Sequence, residues 1–156
     1  MGTLASRHDG QRIGNYGSVV APDLDDIRAA RGVIAEIVKR PPVISSLTLS
    51  GDIGGNVVRE AESLRRTGAF KIRGATNKVA SLGDAAARGV TTGSAGNHAQ
   101  ALAFAARHFG VPCEIFVPVG AAITKIDSCR ALGATVIEQG VALAEAVAAA
   151  KRRADE

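Results

Sequence analysis

Tryptophan is absent, and one tyrosine and four phenylalanines are the only aromatics, so the chain offers no platform on which nucleic-acid bases could stack. Its 19 Lys and Arg against 15 Asp and Glu give a formal charge of +4, but the basic residues are scattered rather than gathered into a stripe. Nucleic acid is therefore not an expected partner. Two cysteines, Cys113 and Cys129, are too few for a disulfide framework, and reduced, buried thiols in a cytoplasmic protein are expected. No stretch reaches the roughly 18 apolar residues of a membrane span, and no apolar run behind a positive patch marks a secretory signal. His8 and His108 have no partners at ligand spacing, so no metal site is expected.

What is plentiful is small. Eighteen glycines and 29 alanines stand among 156 residues of which 46% are hydrophobic and 22% charged. This is the composition of one globular domain with closely approaching backbones, as when helices lie tightly on a sheet. A chain of this size buries about 68–70% of its unfolded surface, enough for a core without metal or disulfide staples.

Residues 1–20 are polar and interrupted by glycine, with neither helical nor strand period, and read as a loose arm. Ile27, Ala30, Ile34, Ile37 and Val38 then recur at helical spacing, with acids in the first turn and Lys39 and Arg40 before two prolines, which predicts a helix over 23–39. Residues 43–49 follow without an assigned element, a strand is expected over 56–62, and a loop carrying Lys71 precedes a helix over 73–82. Strands over 90–92, 114–117 and 135–138 alternate with helices over 98–109, 123–132 and 142–154. Strand then helix, repeated, is the pattern of a parallel sheet wound in βαβ units, an α/β fold. The last helix is still in register at Glu156 with no returning strand, so the chain is expected to be part of something longer; a terminal helix covering the sheet edge is the alternative. The run Lys151, Arg152, Arg153 reads as a solvated helix end.

Two segments could carry chemistry. In Thr67-Gly68-Ala69-Phe70-Lys71-Ile72-Arg73-Gly74-Ala75 a lysine sits beside an aromatic ring in a glycine-flanked turn. A lysine desolvated there has a lowered pKa and supplies the neutral amine that attacks an aldehyde; a solvated loop lysine is the plain alternative. In Thr92-Gly93-Ser94-Ala95-Gly96-Asn97-His98-Ala99-Gln100 a strand end turns through small residues into a helix, whose unpaired N–H groups and positive dipole end favour an anion. A helix cap by Ser94 or Asn97 is the alternative there.

Together the two runs resemble those of the threonine dehydratase group of the fold-type II pyridoxal-phosphate enzymes, a T-G-[SA]-F-K-x-R-G-A run followed by S-A-G-N-H-A-Q. The similarity extends from about Asp23 through Ala146 and includes Arg40-Pro41-Pro42-Val43, Arg65-Arg66, and Lys125 with Arg130-Ala131-Leu132-Gly133-Ala134. The resemblance implies pyridoxal 5′-phosphate as cofactor, with Lys71 joined to its aldehyde as a Schiff base, Phe70 beside its ring and Asn97 bonded to its 3′-oxygen. Ser94, Ala95, Gly96, Asn97 and His98 would hold the carboxylate of a small amino-acid substrate. It further implies α,β-elimination, converting L-threonine to 2-oxobutanoate and ammonia. A serine dehydratase or serine racemase of the same fold is the rival, and a non-catalytic binding or assembly module is the rival from another class. On this resemblance 21–55 is a helical segment of a larger cofactor domain, 56–156 is the small α/β domain, and the complete form is a homo-oligomer.

Departures from the family pattern are visible. The glycine run that cradles the cofactor phosphate and the Ser or Cys facing its ring nitrogen do not occur before residue 156, so the chain by itself is expected to be inactive. Pro41 replaces a Thr, Glu60 a Lys, and Ala122 a Pro; the first two read as surface variations and the third as loosening a loop.

Overall fold

Asp23 opens the first helix, α1 (Leu24–Ile34), by accepting from the N–H groups of Asp25 and Asp26 while Asp26 accepts from its own N–H in return. This reciprocal box satisfies donors that a helix start otherwise leaves bare. The computed structural model describes residues 21–156, so the expected arm over 1–20 lies outside the described residues. α1 ends five residues before the expected 39. The Ile34 carbonyl accepts from both Ile37 and Val38 (3.1 and 2.8 Å), and this turn carries Val38 into the core ahead of Pro41 and Pro42. A residue preceding proline is driven out of the helical region, so Arg40 marks the furthest point at which a helix could have ended.

Residues 43–49, to which the sequence assigns no element, divide between strand and helix. Val43–Ser45 is β1; Ser46 then caps a short helix, α2 (Leu47–Ile53), which stops at Gly54 with φ +65°. The run Val43-Ile44-Ser45-Ser46-Leu47-Thr48-Leu49 has neither a strict strand nor a helical period, and the serine cap and left-handed glycine are the helix signals. β2 (Val58–Glu60) pairs antiparallel with β1, Ile44 opposite Arg59. These two strands form a ribbon separate from the main sheet.

α3 (Lys71–Ser81) begins two residues earlier than expected, so Lys71 is its first residue and not part of a loop. A short 3₁₀ segment over Gly83–Arg88, which periodicity does not reveal, leads to β3 (Val90–Gly93). Then follow α4 (Asn97–Phe109), β4 (Cys113–Val117), α5 (Ile123–Ala131), β5 (Thr135–Glu138) and α6 (Leu143–Asp155). The strands are parallel in the order β3-β4-β5, with Val90 opposite Cys113 and Glu114 opposite Thr135. This is the expected α/β sheet wound in βαβ units, with a helical segment before it.

Successive side chains of the central strand point to opposite faces. Ile115 and Val117 join Ile72, Val79 and the alanines of α4 in the larger core, while Phe116 meets Ala146, Ala149 and Ala150 of α6 on the other. The alanine wealth of the sequence is spent here: Ala99, Ala101, Ala105 and Ala106 are almost wholly buried, on both faces of an α4 that packs on α3. The cysteines fill the same core as free, buried thiols, and burial pushes the Cys113 thiol up to about 12.

Gly93, at the end of β3, is needed for a close approach. A Cβ there would stand 2.6 Å from the Val147 nitrogen and 2.8 Å from the Ala146 carbonyl carbon, both backbone atoms of α6. Gly93→Ala must displace the helix, and overpacking of this kind costs about 1–3 kcal/mol. Thermal melting of the variant is expected to fall accordingly; an unchanged midpoint would mean that α6 sits more loosely than described.

Candidate active site

Lys71, at the start of α3, stands exposed with its Nζ 5.0 Å from the centroid of the Phe70 ring, itself 57% exposed. The described residues therefore give this lysine a cation–π neighbour but not the desolvation that its sequence context suggested. Gly68, at φ +67°, makes the turn before it and donates to the Arg65 carbonyl at 2.8 Å.

Beneath this turn lies a group that the sequence reading passed over. Arg65, with 3% of its side chain exposed, donates to Glu62, to Glu60 (3.4 Å) and to the Lys39 carbonyl (2.6 Å). Arg73, on the first turn of α3, donates to the same two carboxylates. Burial acts to raise the Glu62 pKa, but hydrogen bonds from Arg65 and Arg73 outweigh it and hold the carboxyl below 4.5. Glu60 is thus no casual surface variation; it completes the partner set of two arginines, one of them buried.

The second run behaves differently from a capped helix start. Gly96 occupies the cap position of α4 and no side chain caps it, so neither Ser94 nor Asn97 plays that part. Ser94 is held by its own N–H on the Phe116 carbonyl (3.0 Å), and its Oγ accepts from Gly96 (3.4 Å). The first N–H groups of α4 remain for water or an anion, at the positive end of a 13-residue helix. Asn97 turns its Oδ1 to the Lys125 ammonium at 3.0 Å.

Phe70, Lys71 and His98 line one open groove of about 1000 Å³, together with Val90 and Thr91 of β3 and Arg153 of α6. Ser94 and Ala95 do not reach it; they border a small interior void beside Lys125 and Ile126. The structure thus brings Lys71 and His98 together and sets Ser94, Ala95 and Asn97 on the α5 side of the same turn. Arg153, read as part of a solvated run, is exposed as expected and donates to Glu114 of β4 at 2.7 Å.

Desolvation and, second, the Lys71 charge push the His98 pKa below 6.5, although the residue as a whole is exposed. The folded state disfavours the charged ring, so His98 contributes stability that is whole above about pH 6.5 and lost as the pH falls through the lowered folded value. His98→Gln should flatten this acid-side decline when melting is followed against pH. Parallel profiles for the two proteins would count against it.

The model of the family described as "Pyridoxal-phosphate dependent enzyme" matches residues 34–156. This chain belongs to that family. Family members use pyridoxal 5′-phosphate. The chain is 45% identical over 130 residues to the L-threonine ammonia-lyase of Thermotoga maritima, covering 83% of this chain and 32% of that protein. It is 38% identical over 137 residues to a serine racemase of Oryza sativa, covering 87% and 40%. Among solved structures, maize serine racemase superposes with a TM-score of 0.80 at 36% identity, over 87% of this chain and 42% of that one. The chain therefore spans well under half the length of these relatives. The resemblance is met at the level of the family, and the relatives divide between threonine lyases and serine racemases.

The residues present suit one end of the cofactor. Lys71 offers a primary amine, Phe70 an apolar ring face, and Asn97 an amide whose oxygen is already engaged. Among the described residues no run of glycines forms a nest for a phosphate. No set of three His, Cys, Asp or Glu among them could hold a metal ion, and no described helix is long and apolar enough to cross a membrane.

Proposed function

We propose that this chain supplies the lysine and the carboxylate-binding turn of a pyridoxal-phosphate enzyme that removes the β-hydroxyl of L-threonine, giving 2-oxobutanoate and ammonia. The observation that carries the reading is the placement of Lys71 and His98 on one groove, each in the first turn of its helix, with α3 packed on α4. Pyridoxal phosphate, when bound, supplies the electron sink that makes an α-proton acidic. Lys71 anchors the cofactor aldehyde and, once its amine is free, takes that proton. Phe70 would flank the ring, Asn97 Nδ2 would donate to the ring oxygen, and the N–H groups of the 94–98 turn other than those of Ser94 and Gly96, which are already engaged, would hold the substrate carboxylate. Residues 21–55 belong with a larger domain, consistent with the exposed Leu24, Ile27, Leu47 and Ile53.

A serine dehydratase or racemase is the second reading, favoured by the maize superposition. The roles proposed for these residues concern the cofactor and the carboxylate, which both substrates share, so they do not choose between the substrates. Supplying the complete enzyme with L-threonine and L-serine, and measuring 2-oxobutanoate, pyruvate and D-serine, decides between them. Predominant 2-oxobutanoate is expected; predominant D-serine would replace the proposal with the racemase. The 156-residue chain alone, given cofactor and threonine, is expected to show no turnover beyond that of free cofactor, because the phosphate finds no glycine nest among its described residues.

A further inference from the structure

Lys125 lies in the first turn of α5, yet its side chain reaches across to the first turn of α4, where the ammonium donates to Asn97 Oδ1 at 3.0 Å and Gln100 Oε1 at 3.4 Å. Two features make this arrangement informative. A cation at helix N-termini opposes the dipoles of both helices, so fold stability alone would not place one here. An ammonium can only donate, which fixes which end of the asparagine amide faces it. With Oδ1 engaged, the amide N–H₂ is the end left over, and no described residue accepts from it.

We infer that Lys125 is a positioning residue that locks Asn97 with its N–H₂ outward, so that the side chain can serve a ligand only as a hydrogen-bond donor. The ligand atom opposite it is then an acceptor, such as a phenolate or carboxylate oxygen. A freely rotating amide could turn its oxygen toward such an atom and repel it; Lys125 removes that alternative. Gln100, buried beneath, takes a second ammonium proton and keeps the lysine from swinging away. This inference rests on the cofactor-binding reading above, but its first test does not.

In the 156-residue chain without cofactor, the Lys125 ammonium should give a ¹⁵N–¹H signal protected from solvent exchange, lost in Asn97→Ala and retained in Asn97→Asp. An unprotected ammonium in the unsubstituted chain would overturn the geometry. In the complete enzyme, Lys125→Met should weaken cofactor binding about tenfold, the order expected for a hydrogen bond to a charged acceptor, and shift the absorption band of the bound cofactor. Lys125→Arg, which keeps a donor, should recover part of both effects. Asn97→Asp should keep the melting temperature and still bind weakly, because it pairs with Lys125 but presents only acceptors. If the unsubstituted enzyme takes up no cofactor on Lys71, the proposed function fails; if it does and Lys125→Met binds equally well, the positioning role alone fails.

Discussion

Lys71→Ala in the complete enzyme is expected to eliminate the cofactor–protein imine and to lower turnover by roughly 10²–10⁴-fold from loss of proton transfer alone. The fold should hardly notice. Lys71 is exposed at a helix start, and surface substitutions of this kind stay within about 0.5 kcal/mol. The loss of activity at constant melting temperature is the signature to look for. Borohydride reduction of the unsubstituted enzyme with cofactor, followed by peptide mapping, should place the label on Lys71. Label on Lys78 or Lys125 would end the assignment.

Arg65→Ala should produce the opposite pattern, a large loss of stability from a residue that touches no substrate. Its guanidinium is almost wholly buried and joins three partners from two separate segments: the Lys39 carbonyl before β1, and Glu60 and Glu62 at and after β2. Breaking a buried ion pair by removing one side costs about 3–5 kcal/mol, a large share of the roughly 5–15 kcal/mol that holds a domain together. The melting midpoint is expected to drop by roughly 10 °C. Glu60→Lys, which restores the residue common in the family that the sequence resembles, should also destabilise the fold, because Arg65 and Arg73 both face that position. A midpoint within about 2 °C of the parent for both variants would reduce the cluster to a surface network of the kind worth about 1 kcal/mol or less.

The alternating strands and helices from residue 90 onward were legible because each boundary carries its own chemistry: Gly110 closes α4 in the left-handed conformation, as a helix-ending glycine should. The stretch before residue 70 was less so. There α2 is not legible as a helix, since its seven residues are too few for a helical period to show and only Ser46 as a cap and Gly54 as a stop mark it. The site was legible as two runs and not as an arrangement. Lys71 and Asn97 could be singled out by residue type, but Lys125 sits 28 residues from Asn97, and periodicity says nothing about a bond between the first turns of two different helices. Arg65 was invisible as a buried charge for the same reason: its partners lie up to 26 residues away.

The placement of Gly93 against α6 bears on the order in which this piece of protein can be completed during synthesis. β3, β4 and β5 pair in the order in which they leave the ribosome, so each new strand finds its neighbour already made. Such sequential pairing lets the sheet grow outward from β3, while each parallel pair spans a helical crossover, a non-local contact that forms slowly. The exception is the face of β3 that carries Gly93, whose cover is Ala146 and Val147. More than fifty residues must be translated between the bare glycine and the helix that shields it. Through that interval the strand next to the 94–98 turn has one face open, until the last helix arrives.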